Sequence, residues 1–177
     1  MYFAGTSGSG ILIARLPDGS WSAPSAFSVR AGSFGLVYGV DVYDCVCVLN
    51  TQAAVDAYTS SEMTMGGKMA VAAGPIGRTG DIGEAADKPV WTYTKSRGLY
   101  GGVTVDGTVI KEKKDVNAGA YGEGVTAKDI VTGKIGAQDG EKWKQLSEVV
   151  KLAEGKEANG GVLGQVSTEA TPGDYTE

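Results

Sequence analysis

The sequence predicts an α+β fold, a strongly curved antiparallel sheet, barrel-like at its limit, with short helices. Three observations predict it. Short apolar runs are punctuated by Asp-Gly, Gly and Pro, which reads as strands joined by tight turns. Glycine is frequent, 28 of 177 residues, and much of it lies inside the apolar runs, where curved and closely packed strands need it. Helical signals are few and short, opened by a capping residue or closed by glycine.

Taken in order, Tyr2-Phe3-Ala4-Gly5 leads into Gly8-Ser9-Gly10 and then residues 11–16, a strand by length and composition. No Gly-Lys-Ser/Thr follows those glycines, so they are not read as a phosphate loop. Asp18-Gly19 is a hairpin turn, and Pro24 confines residues 20–25 to an edge or a strand end. Residues 34–49 are almost continuously apolar. As one straight strand they would span ~50 Å, in a domain about 40 Å across. The run therefore has to bend or break, and Gly39, Asp41 and Asp44 mark the place. Asp41 and Asp44 have two readings, a metal or acid–base pair converging at the bend, or, more plainly, residues that cap it.

Asn50-Thr51 then caps a short helix, residues 52–58, with Ala54, Val55 and Tyr58 on its buried side. Residues 65–73 form a small-residue strand that stops at Gly74-Pro75. Gly67, Met69, Val71 and Ala73 share one face, with Lys68, Ala70 and Ala72 on the other. Small side chains on both faces suit a central packing strand. Gly74, Gly77, Gly80 and Gly83 recur every third residue, far too briefly for a triple helix, so residues 74–83 read as a loop.

Residues 90–97 form a strand with Trp91, Tyr93, Lys95 and Arg97 on one face. Residues 99–105 form another, which Asp106-Gly107 turns into a hairpin. Residues 111–115 are charged surface. Thr126 caps a helix, 127–132, that ends at Gly133. Residues 139–154 are an amphipathic helix with Trp143, Leu146, Val149, Val150 and Ala153 in line, stopped by Gly155. That stripe packs on its own domain or lies on a membrane surface. The rest is an acidic, polar, flexible tail.

Composition narrows the function. The net charge of −5, from 16 basic and 21 acidic residues, disfavours a nucleic-acid partner. The absence of histidine removes Ser-His-Asp and Cys-His catalysis, and most zinc chemistry, for this chain acting alone. Cys45 and Cys47 sit two apart in an apolar run, on one strand face. They read as small hydrophobes, reduced and buried. Their spacing is not CxxC, and a strand holds such side chains parallel, which is poor disulfide geometry. A reducing compartment fits. With no signal peptide or long apolar run, a cytoplasmic chain is expected.

In order and spacing, the blocks resemble the SYLF-domain family, which includes a yeast cortical actin-patch protein and its animal relative carrying a Src-homology-three module. The matching residues are Gly8-Ser9-Gly10, Asp18-Gly19-Ser20-Trp21-Ser22-Ala23-Pro24-Ser25, Val48-Leu49-Asn50-Thr51, Gly66-Gly67 and Val71-Ala72-Ala73-Gly74-Pro75-Ile76-Gly77-Arg78. Further along they are Tyr93-Thr94-Lys95-Ser96-Arg97-Gly98-Leu99-Tyr100, Tyr121-Gly122 and Thr126-Ala127-Lys128-Asp129-Ile130. The resemblance divides the chain into a SYLF-like domain, 1–136, with the amphipathic helix to 154 and the tail, 155–177, after it. It implies a non-enzymatic module without cofactors that binds phosphoinositide-containing membranes and actin filaments at the cell cortex. The family usually begins with a further amphipathic, basic N-terminal segment, and this chain starts after it. Lys68 stands where asparagine is more usual.

The candidate headgroup surface is Trp91, Tyr93, Lys95 and Arg97, joined by Lys68 and Arg78, since aromatics beside cations suit a phosphorylated headgroup at a membrane interface. The other reading of that face is an ordinary solvent face. Two further functions stand beside the adaptor. One is a structural or oligomerising module, self-associating at an unpaired edge near Tyr2-Phe3-Ala4, with its lipid and actin determinants in the N-terminal segment. The other is an enzyme using Asp18, Asp41 or Asp44, for which no nucleophile or base partner is evident.

Overall fold

A computed structural model describes residues 2–60, 63–73, 76–81, 90–136 and 140–172, and for part of the strands the backbone alone. The elements are β1 (Tyr2–Leu12), β2 (Ser25–Leu49), α1 (Gln52–Ser60), β3 (Met63–Ala73), β4 (Ile76–Asp81), β5 (Val90–Glu112), α2 (Lys114–Tyr121), α3 (Ala127–Val131), α4 (Glu141–Ala153) and α5 (Gly160–Leu163). The fold mixes helices with an antiparallel sheet, as expected, in the order β1-β2-β5-β3-β4. The chain divides into two compact units, one of Met1–Gly10, Ala26–Lys113 and Ala170–Glu177, the other of Ile11–Ser25 and Lys114–Glu169.

The first unit is built on two long strands. β2 has 25 residues and β5 has 23, and they pair without interruption from Phe27↔Glu112 to Leu49↔Val90. Of the two alternatives at Gly39, Asp41 and Asp44, a bend or a break, the strand takes the bend. Tyr58 of α1 packs edge-to-face on Phe27, with ring centroids 5.3 Å apart, and also hydrogen-bonds with Cys47. Phe27 and Cys47 are twenty positions apart on β2, ~66 Å if the strand were straight. One tyrosine reaches both, so β2 curls strongly around α1.

The sheet nevertheless stays open, which corrects the barrel-like expectation. β4 pairs not only with β3 but also back onto β5, through Ile76↔Lys95 and Gly77↔Thr94, and among the described residues it does not pair with β1. β4 also replaces the loop expected from the spaced glycines. Gly77 and Gly80 lie inside it, and Gly74, Pro75 and Gly83 lie outside the described residues. β3 is the expected small-residue strand, but the central position belongs to β5, which pairs with β2, β3 and β4. The hairpin expected at Asp106-Gly107 is absent for the same reason. Gly107 pairs with Gly32 on one side and Met65 on the other, and two ladders outweigh a local turn preference.

Helix α1 starts as predicted, with the Thr51 hydroxyl accepting from the Ala54 amide at 3.1 Å. Ala54 is buried, and Val55 and Tyr58 are half-buried. Cys45 and Cys47, in contrast, are exposed. Their run is apolar because strand pairing favours Val and Tyr, not because both faces are covered.

In the second unit, Ile130, Val131, Ala127, Leu12 and Ala23 are buried. Asp18-Gly19 makes the expected turn, with Gly19 at φ +83° and Arg15 bridged to Trp21. β1 ends at Leu12, short of the expected residue 16. The Arg15 guanidinium stacks 4.6 Å above the Trp21 ring and pairs with Glu154, which also takes Lys156 at 2.9 Å. Lys111, Lys114 and Asp115 are exposed, as expected of charged surface, and Lys114 and Asp115 open α2. Its Asn117 is buried and donates to the Ser25 hydroxyl at 3.2 Å, while the Tyr121 hydroxyl donates to the Pro24 carbonyl at 2.7 Å. Thr126 and Asp129 close a capping box on α3. Gly133 follows at φ +78°, a conformation that favours glycine, and a Cβ there would press on the end of the Leu16 side chain. In α4, Trp143, Leu146 and Val150 are half-buried while Val149 and Leu152 are exposed.

Candidate functional site on the face of the central strand

Side chains alternate along β5, so Trp91, Tyr93, Lys95 and Arg97 occupy one face of it. The ladder to β2 sets Val48 opposite Trp91, Val46 opposite Tyr93, Asp44 opposite Lys95 and Val42 opposite Arg97. On the other side Ile76 of β4 stands opposite Lys95. Arg78 is two residues beyond Ile76, so its register position falls on this same face. Lys68 does not. It pairs with Thr104, one of the even-numbered β5 positions, and those belong to the opposite face. The register thus brings five of the six candidate residues to one face and separates the sixth. For Trp91, Arg97, Arg78 and Lys68 only the strand position is described.

The row is open where its side chains are described. Tyr93 is 64% exposed, Lys95 is exposed, and Val42, Val46 and Val48 present exposed apolar surface beside them. Asp44 is half-buried. An ammonium group and a phenol on an apolar ground can hold an anionic group at the boundary between water and lipid. The face is not strongly cationic, because Asp44 stands directly opposite Lys95. By sequence Asp44 reads as a bend residue or a metal ligand, and its place as a counter-charge is missed. Only the strand register reveals that pairing.

Of the other carboxylate candidates, Asp18 has a local task. Asp18 accepts from the Ser20 hydroxyl at 2.6 Å and the Ser20 amide at 2.9 Å, and these bonds hold its carboxyl below the usual carboxylate range. It is a turn residue. Asp41 pairs across the ladder with Gly98. Among the described residues no group of three or more Cys, Asp or Glu is placed to hold a metal ion.

Residues 30–153 match the Ysc84 family model, described as "Las17-binding protein actin regulator". The chain is similar to the "LAS seventeen-binding protein 3" of Saccharomyces cerevisiae, 41% identical over 138 residues, covering 75% of this chain and 30% of that protein. It is 39% identical over 138 residues to the yeast "Protein YSC84", again 75% of this chain. It is 43% identical over 129 residues to the human "SH3 domain-containing YSC84-like protein 1", covering 71% of this chain and 38% of that protein. The chain thus spans about a third of the length of these relatives. No solved structure matches it.

Proposed function

Since this chain belongs to the Ysc84, or SYLF, family, we propose that it is a non-enzymatic module that binds actin filaments and phosphoinositide headgroups, linking membrane to actin at the cytoplasmic cell cortex. The observation that carries the lipid half is the exposed Tyr93–Lys95 row on β5, with Arg97, Trp91 and Arg78 at register positions on its face. Lys68 is the least supported member, since its position falls on the other face. The actin half rests on the family description and on relatives described as LAS seventeen-binding. No described helix is long and apolar enough to cross a membrane. The proposed lipid contact is made at the membrane surface, through headgroups.

The exposed apolar positions Val42, Val46 and Val48 favour a second reading, in which this face joins copies of the chain and the module is structural. Co-sedimentation separates the two. The chain and its Lys95→Glu/Arg97→Glu variant are compared on phosphoinositide vesicles and on actin filaments, with light scattering for size. At about 1 kcal/mol per cation near an anionic surface, the variant loses tenfold or more in vesicle affinity, with little change in melting temperature. Equal vesicle binding by both proteins refutes the headgroup assignment, and concentration-dependent oligomers that the variant disrupts favour the second reading.

A further inference from the structure

Behind the headgroup row, on the opposite face of β2, stand Cys45 and Cys47. Their sulfurs are 3.4 Å apart and both residues are exposed. Tyr58 of α1 reaches the same place and hydrogen-bonds with Cys47. We propose that Cys45 and Cys47 form a dithiol site that low-molecular-weight disulfides oxidise to an intrastrand disulfide. This does not depend on the headgroup assignment.

Exposure admits the reagent, and proximity supplies the second step. The Cys47 thiolate attacks one sulfur of RS–SR, giving Cys47–S–SR and expelling RS⁻, which takes up the proton Cys47 lost. The Cys45 thiolate then attacks Cys47 Sγ from 3.4 Å away, closes the Cys45–Cys47 bond and expels the second RS⁻, which takes the proton from Cys45. The dithiol loses two electrons and two protons, and the small disulfide becomes two thiols. Tyr58 is a positioning residue, whose O–H stabilises negative charge on the Cys47 sulfur by donating to it. Burial, and after it Cys47, hold the Tyr58 proton well above the usual phenol range, so the donor is retained wherever thiols ionise.

The strand also makes the closed bond easy to reverse. Cα atoms two apart on a strand are separated by about 6.6 Å, the top of the range a disulfide spans without distortion. Val46, between the cysteines, is paired with Tyr93, so closure strains that ladder. Strained, exposed disulfides are the readily reduced ones. Metal binding is the weaker use of the pair, because among the described residues no third Cys, Asp or Glu completes a ligand group.

The test is oxidised glutathione added to the full chain, with mass spectrometry after alkylation and a non-reducing gel. The expected product is a monomer lighter by two hydrogens that takes no alkylating agent. Phenylarsine oxide, which bridges neighbouring thiols, binds once per chain and blocks the reaction. Cys45→Ser and Cys47→Ser each stop at the mixed disulfide and lose the arsenical. Tyr58→Phe reaches the same product about tenfold more slowly. A stable glutathione adduct on the unaltered chain, or a disulfide-linked dimer as the main product, overturns the proposal. So does arsenical binding that survives either serine substitution.

Discussion

Replacing Asp44 with asparagine should strengthen binding to anionic vesicles. Asp44 stands directly opposite Lys95 across the β2–β5 ladder. Residues so paired have Cβ atoms ~5 Å apart, inside the ~8 Å Debye length at physiological ionic strength. A headgroup phosphate seated on Lys95 therefore feels the carboxylate at roughly 8 Å, where each pair of unit charges repels by ~0.2 kcal/mol in screened water. A headgroup carrying three or four charges pays about 0.5–1 kcal/mol, so Asp44→Asn should raise affinity about two- to fivefold. Lys95→Ala should lower it about fivefold, and the double variant should fall close to the unaltered chain. The assay is vesicle co-sedimentation at two salt concentrations, with neutral vesicles as control. The gain should shrink at high salt. Melting temperature should move by only a few degrees, since such a cross-strand pair contributes ~0.2–1 kcal/mol. Unchanged or weaker binding by a folded Asp44→Asn chain would mean that no anionic group sits at Lys95.

Two further outcomes concern the second unit. Ile130 is fully enclosed, so Ile130→Ala should cost about 2–5 kcal/mol and Ile130→Val about 0.5–1.5 kcal/mol by urea unfolding, and an alanine cost below ~1 kcal/mol would remove Ile130 from the core. Lys134, at 2.7 Å, and the Thr126 hydroxyl, at 2.6 Å, hold the Asp129 carboxyl down at about 2. A folded pKa below the unfolded value of 3.8 stabilises above that value, and the contribution is lost as pH falls from there toward 2. Urea midpoints of Asp129→Asn should therefore lack part of the acid-side slope seen in the unaltered chain, and superimposable profiles would show that the capping box does not survive in solution.

Local chemistry made the short elements legible. Thr51 and Thr126 begin helices as capping residues do, Gly133 ends one in the left-handed region, and Asp18-Gly19 makes a turn. The long strands were not legible, because their continuity comes from partners distant in sequence. Asp106-Gly107 carries a turn signal, yet it is held straight between β2 and β3. The glycines of β4 look like a loop until β3 and β5 supply ladders for them. α2 was hidden by Asn117 and Gly119, poor helix formers, although Asn117 gains a buried bond to Ser25. Alternation alone put Trp91, Tyr93, Lys95 and Arg97 on one face, but Arg78 and Lys68 could be sorted only by register.

That register also decides which way the row points. A slip of one residue would move Tyr93 and Lys95 to the other face of the sheet. What resists the slip is α1. Its Tyr58 meets Cys47, and Cys47 pairs with Thr92, so the helix covers part of the face carrying the even-numbered β5 residues. On the odd-numbered face, Tyr93 is 64% exposed, and Val46, opposite it on β2, is 65% exposed. Phe27 anchors the other side of the same tyrosine and so ties the curl of β2 to the placement of α1. Tyr58 thus ties the bend of β2 to the cysteine pair that it meets.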